Sequence, residues 1–377
     1  MTPADGDFDD DWPPKPRANP DLIGHEEAEL LLHEALQSGR LAHGWLISGP
    51  RGIGKATLAY RFARFVLAGG RGGAGQGGLF GGELAEAGGA NLYLDPLDPV
   101  FRRVESAGHA DFLSVEKSLN DKGKLRTEIV VDDVREIGSF LSLTAAEGGW
   151  RVVVIDAADE MNPSAANAVL KVLEEPPSQT LMLLVSHAPG GLLATIRSRC
   201  RKLQLKPLGE ENVVALLAQY RPHLEPADIA ELARLSEGSI GRALALAEEG
   251  GLDLYRDLLD LLDTLPELDV PALHGFADRV TRTRGGETFL TVSELLRWWL
   301  GRLVAAAARS APAGREGDAG GREAALIARL AGGAGIGRWL EARDKVDHLL
   351  ARTDAVYLDR KQVVLNAFLA IENVVRP

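Results

Sequence analysis

Between Leu22 and Leu205, short apolar runs alternate with stretches whose apolar positions recur every three to four residues. That alternation predicts helices packed on a parallel α/β sheet. Trp45-Leu46-Ile47-Ser48 reads as a strand entering a glycine-rich turn, after which Leu58, Phe62, Phe65 and Val66 have the i, i+4, i+7, i+8 spacing of one helix face. Phe112 to Val115 predicts a second strand, and Val131 to Leu143 a helix. Val152-Val153-Val154-Ile155 is apolar at every position, as in a strand buried on both sides. Asn162-Pro163 supplies a cap and a first-turn proline for a helix to about Glu174, and Pro176-Pro177 stops it. Leu181 to Val185 and Leu203 to Leu205 complete a sheet of about five strands.

Past Leu205 the strand pattern ends. Glu210 to Gln219, Pro226 to Leu235 and Ser239 to Glu248 predict three short helices in a small domain over 207–251. Residues 252–377 read as a further helical domain, with the apolar segment Leu295 to Leu300 inside it. Two low-complexity stretches interrupt the order. Residues 69–90 are a glycine-rich insertion in the α/β domain (21–206), and residues 311–337, rich in Gly, Ala and Arg, read as a flexible joint between helices. Residues 1–20 hold five Asp against one Lys and one Arg, are rich in proline, and predict a disordered acidic tail.

At 377 residues the chain exceeds one hydrophobic core, and 45% hydrophobic with 25% charged residues is a soluble composition. No apolar run approaches the ~20 residues of a membrane helix, and the acidic start is unlike an export signal. A cytoplasmic location without membrane contact is expected. The single cysteine, Cys200, excludes an internal disulfide and a zinc site of several thiolates. A net charge of -12 argues against a protein that coats DNA alone and shifts the expectation toward protein partners.

Gly49-Pro50-Arg51-Gly52-Ile53-Gly54-Lys55 fits G-x-x-x-x-G-K between a predicted strand and a predicted helix, the context a phosphate-binding loop needs. Gly49, Gly52 and Gly54 let backbone N–H groups face a phosphate, and Lys55 reaches the terminal phosphates. The motif then expects Ser or Thr as a Mg²⁺ ligand, but the residue is Ala56. Thr57 follows one place later, turned about 100° around the helix. The strand Val152 to Asp156 offers Asp156 to order water around a metal, yet the next position, where an activating Glu is needed, is Ala157. Asp159 and Glu160 fall past the strand end at the wrong offset. ATP or ADP binding at a degenerate site is expected, with inefficient hydrolysis.

Asn167 to Pro177, NAVLKVLEEPP, resembles the N-A-L-L-K-x-L-E-E-P-P helix of the bacterial DNA polymerase III clamp-loader family, whose members are AAA+ proteins. Leu193 to Arg201, LATIRSRCR, resembles that family's S-R-C motif in the form typical of its delta-prime branch, and His43-Gly44-Trp45-Leu46 is similar to its H-A-x-L entry. The resemblance covers roughly Leu22 to Glu249. It implies an AAA+ domain, a lid over 207–251 and an oligomerising collar over 252–377. It also implies that Arg199 is an arginine finger for a neighbouring subunit's ATP site. Ser186 matches the sensor 1 position, although His187 and Ala188 depart from the usual residues. Arg242 matches the sensor 2 arginine.

The partners implied are the gamma/tau and delta subunits, the sliding clamp and primer–template DNA. Many relatives carry a four-cysteine zinc module where residues 69–90 lie; no cysteine is present there, so no zinc is expected. Lys122, Lys124 and Arg126 read as a solvated basic loop, and Lys171 as the better candidate for DNA backbone contact. Two rivals remain at this stage. One is an active motor ATPase of the same family, against which Ala56 and Ala157 argue. The other is a small-molecule P-loop kinase, against which the helical extra domains argue.

Overall fold

The computed structural model describes residues 13–70, 91–147, 149–282, 286–309, 321–355 and 358–376. The chain forms two compact units, Met1–Arg242 and Ala243–Pro377.

The first unit is built on five parallel strands: β1 (Gly44–Ser48), β2 (Phe112–Val115), β3 (Arg151–Asp156), β4 (Thr180–Ser186) and β5 (Arg201–Gln204). Their order across the sheet is β2-β3-β4-β1-β5. Around them lie α1 (Glu26–Gln37), α2 (Lys55–Leu67), α3 (Pro99–Glu105), α4 (Val131–Ser142), α5 (Pro163–Glu174) and α6 (Ala194–Arg199). Three more helices follow: α7 (Glu210–Tyr220), α8 (Pro226–Leu235) and α9 (Ile240–Glu248), the last of which contains the unit boundary.

Strand alternation sorts the core into two layers. Val152, Val154, Leu181 and Leu183 point to one face, where they meet Leu32 of α1 and Leu58, Phe62 and Phe65 of α2. Val153, Ile155, Met182 and Leu184 point to the other, against Val134 and Ile137 of α4, Val169 and Leu173 of α5 and Ile196 of α6. Both faces are covered, which is why these strands read as unbroken apolar runs rather than as an apolar/polar alternation.

The α/β fold class and the strand count match the expectation from sequence. The Asn162 cap is also formed: its side chain accepts the N–H of Ala165 at 2.9 Å, with Pro163 in the first turn. Helix α3 was not anticipated, although Asp98-Pro99 signals its start; the Asp98 side chain accepts the Val100 N–H.

Two expectations change. The start of the chain does not stay free up to Pro20. Arg64 of α2 donates to the carbonyls of Arg17 (2.9 Å) and Asn19 (2.7 Å), and Arg61 donates to that of Pro20. Asn19 donates in turn to the Tyr220 hydroxyl at 3.2 Å. Buried guanidiniums need acceptors, and here the incoming main chain provides them. The expected joint over 311–337 is also partly helical, since it contains a helix at Gly321–Gly333, whose Leu326, Ile327 and Leu330 are buried. The glycine-rich insertion falls mostly on residues 71–90, outside the described residues.

The second unit is helical among its described residues: α10 (Gly251–Asp263), α11 (Val270–Thr281), α12 (Glu287–Ala308), α13 (Gly321–Gly333), α14 (Ile336–Ala355) and α15 (Arg360–Val375). Its core gathers Tyr255, Leu262, Trp299, Trp339 and Phe368, all buried. Among the described residues, no helix is long and apolar enough to cross a membrane.

Candidate nucleotide site and part-exposed arginine

The loop from Gly49 to Gly54 joins the carboxyl end of β1 to the start of α2. Gly49, Gly52 and Gly54 take φ of 151°, 76° and 96°, values that only glycine adopts without strain in so short a turn. This is the crevice at the carboxyl ends of a parallel sheet where ligands of such folds bind. Ser48 stands in register with Ser186 across β1 and β4, and Asp156 with Val185 across β3 and β4. The fold therefore brings together the loop, Asp156 and Ser186 from three separate stretches of sequence.

Lys55 is buried, and its ammonium donates to the Pro50 carbonyl within its own loop. Burial pushes it from 10.5 down to about 8, Asp156 and Asp159 pull it back up, and Arg51 pushes it further down. Asp156 is raised to about 6, first by burial and then by Glu116, with Lys55 opposing. Burial, Lys55 and Arg51 together hold the His187 imidazole below its ordinary value, favouring its neutral form.

At the metal-ligand position, Ala56 packs against the core, and Thr57 next to it is buried. Ala157 follows Asp156 and is buried too. The two acids just beyond it are used elsewhere. Asp159 accepts the N–H groups of His187 (2.9 Å) and Ala188 (3.1 Å); burial opposes its charge, but these bonds prevail and hold its carboxyl below the usual range. Glu160 pairs with Arg51 at 2.6 Å and with Lys117 at 2.8 Å.

The start of α9 closes on this loop. Gly241 donates its N–H to the Gly52 carbonyl at 3.0 Å, and the Ser239 hydroxyl donates to the Arg51 carbonyl at 2.9 Å. Ser239 also accepts the Arg242 N–H at 3.1 Å, capping α9. The Arg242 side chain lies 3.6 Å from the Glu237 carboxylate. The clasp by Ser239 and Gly241 was not foreseen from sequence. Gly238-Ser239, a glycine and a capping residue before an apolar run, marked the helix start but not what it touches.

Arg199 lies elsewhere. It is the last residue of α6, and its carbonyl sits 3.6 Å from the position a Cβ would take on Gly44, the first residue of β1. The phosphate loop leaves the other end of that strand. Five residues at ~3.3 Å each separate the two, about 16 Å. The Arg199 guanidinium is part-exposed, pairs with Glu174 at 2.7 Å and donates to the Thr195 carbonyl at 3.1 Å. Of the other candidates, Lys122 and Lys124 are exposed in a turn whose flanks meet at the Leu119–Leu125 bridge, while Arg126 is half-buried. Lys171 is exposed on α5.

A glycine-rich loop ending in Lys55, between the first strand of a parallel sheet and the helix that follows it, is the arrangement of a P-loop α/β fold. Comparison with known proteins narrows this. The family described as "DNA polymerase III, delta subunit" matches residues 99–209. DNA polymerase III subunit delta' of Pseudomonas aeruginosa is 36% identical over 55% of this chain and 57% of its own length. The delta' subunit of Escherichia coli is 37% identical over 56% of each chain, and the tau subunit of that species 29% identical over 62% of this chain and 33% of its own. The aligned part thus spans little more than half the length of the delta' relatives. Over the matched residues the chain is similar to the delta' and tau subunits of DNA polymerase III.

Proposed function

We propose that the chain acts as a delta'-type subunit of a bacterial clamp loader, supplying Arg199 to the ATP site of a neighbouring subunit while hydrolysing little ATP itself. The observation that carries this reading is the placement of Arg199 and Lys55 at opposite ends of β1, farther apart than a side chain reaches. An arginine so placed, part-exposed and at a helix end, serves a partner's phosphate and not its own. Its forked donors and permanent charge suit a γ-phosphate as negative charge develops, an effect worth ~10³–10⁵ in rate in other phosphoryl transfers.

The chain's own site is cut back at two points, Ala56 for the metal and Ala157 for the attacking water, and Asp159 and Glu160 are occupied by other bonds. ATP or ADP still has a glycine cradle and Lys55 to bind, without productive Mg²⁺ placement. In this reading the gamma/tau and delta subunits flank the chain. The helical unit joins a collar, and the assembly spends ATP to open the sliding clamp and place it on primer–template DNA in the cytoplasm.

The tau similarity keeps the motor reading in view, and one measurement separates the two. Steady-state ATPase of the isolated chain, with and without DNA, should be near background and indifferent to Lys55→Ala. In a reconstituted loader, Arg199→Ala should cut turnover while assembly by gel filtration is kept. Robust turnover of the isolated chain that Lys55→Ala abolishes would establish a motor instead.

A further inference from the structure

Glu174 closes α5 at its carboxyl end, where the helix dipole disfavours an anion, and Glu175 follows it directly. Nothing in the helix itself calls for a carboxylate there. Its partner lies across the interface of α5 and α6: Glu174 Oε1 is 2.7 Å from Arg199 Nη2. The Thr195 carbonyl accepts a hydrogen bond from Nη1 at 3.1 Å. One Nη of the guanidinium is therefore ion-paired and the other hydrogen-bonded within the chain, and Nε has neither kind of partner among the described residues.

The backbones that carry the pair are fixed by the core. Leu173, Ile196 and Cys200, which adjoin or flank the two residues in sequence, are buried in one cluster. Burial raises the Cys200 thiol to about 11, so it fills space and stays protonated. The spacing of Glu174 and Arg199 is thus set by packing, and only the side chains are free to move.

We propose that Glu174 is a positioning residue for Arg199: its carboxylate orients the guanidinium so that the unused donors face outward toward a partner's anion. This rests on the trans role of Arg199 given above. An arginine held at two points loses less rotamer freedom when it engages a phosphate, and catalysis depends steeply on such placement. Glu174 itself touches no reacting atom and acts only through Arg199.

The test is a reconstituted loader carrying Glu174→Gln, Glu174→Asp, Arg199→Ala or the double variant Glu174→Gln/Arg199→Ala, with kcat and KM for ATP measured on each. Glu174→Gln should lower kcat about tenfold with KM and assembly unchanged, as expected for a misplaced rather than missing group. Glu174→Asp, which keeps the charge, should recover part of the loss. The double variant should be no slower than Arg199→Ala alone, because the carboxylate has nothing left to orient. If Arg199→Ala slows turnover and Glu174→Gln does not, Glu174 has no positioning role and the trans arginine stands. A further drop in the double variant would show Glu174 acting by another route. If Arg199→Ala leaves turnover intact, the trans role and this inference fall together. Both side chains are part-exposed, so unfolding is not expected; matched melting temperatures verify this.

Discussion

Gly241 and Gly52 meet backbone to backbone: the N–H of the first donates to the carbonyl of the second at 3.0 Å, and a Cβ on Gly241 would lie 2.9 Å from the Gly52 Cα. The phosphate loop is thus part of a joint between the α/β sheet and the helices that follow it.

Gly52→Ala should therefore destabilise the first unit severely. The residue has φ 76°, and its Cβ would fall 2.3 Å from Ser239 Oγ and 3.1 Å from the Gly241 Cα. A loss of at least ~2 kcal/mol is expected from strain and overlap together. Gly190→Ala, where a Cβ meets nothing within 4 Å, should stay within about 0.5 kcal/mol. Urea denaturation of both variants tests the contrast.

Ser239→Ala removes two hydrogen bonds at once, the cap on the Arg242 N–H and the contact with the Arg51 carbonyl. It should cost about 1–2 kcal/mol. Amide hydrogen exchange at residues 51–55 should speed up as the clasp loosens, while the strands keep their protection. Unchanged exchange in the loop would mean that the clasp does not restrain it.

Asp156 gives a pH signature of definite sign. Its carboxyl is raised from 3.8 to about 6 in the folded chain, mainly by burial. Between those values the folded form holds a proton that the unfolded form has released, so stability contributed here declines as pH rises from about 4 to 6. Above pH 6 the full cost of the buried charge is present. Asp156→Asn removes it and should stabilise the chain at pH 7 by about 1–2 kcal/mol, after discounting for partial solvent access. The gain should vanish near pH 4. Melting curves of both proteins across that range provide the measurement.

Arg64→Ala tests the anchoring of residues 15–20. Arg64 is 1% exposed, donates to two main-chain carbonyls and lies over the Phe101 ring at 4.2 Å. Its removal leaves a cavity and two unpaired acceptors, and ~3 kcal/mol of destabilisation is expected. Limited proteolysis should then cut near Arg17 much faster than in the parent chain. Unaltered cleavage would show the segment held by other contacts.

Local pattern determined much of this protein. Unbroken apolar runs specify strands buried on both faces, Asn162-Pro163 specifies a helix start, and three glycines before Lys55 specify a tight turn with left-handed backbone, because each of these is a matter of neighbouring residues. Replacements such as Ala56 and Ala157 are equally legible, since the motif fixes what should stand there. What tertiary structure alone decided is which distant groups meet. Asp159 caps the end of β4, Glu160 holds Arg51, Ser239 and Gly241 clasp the phosphate loop, and the early segment lies down on Arg61 and Arg64. The separation of Arg199 from Lys55 is of the same kind. It follows from parallel strands, which place every strand start at one edge of the sheet and every strand end at the other, a consequence of pairing that no short stretch of sequence contains.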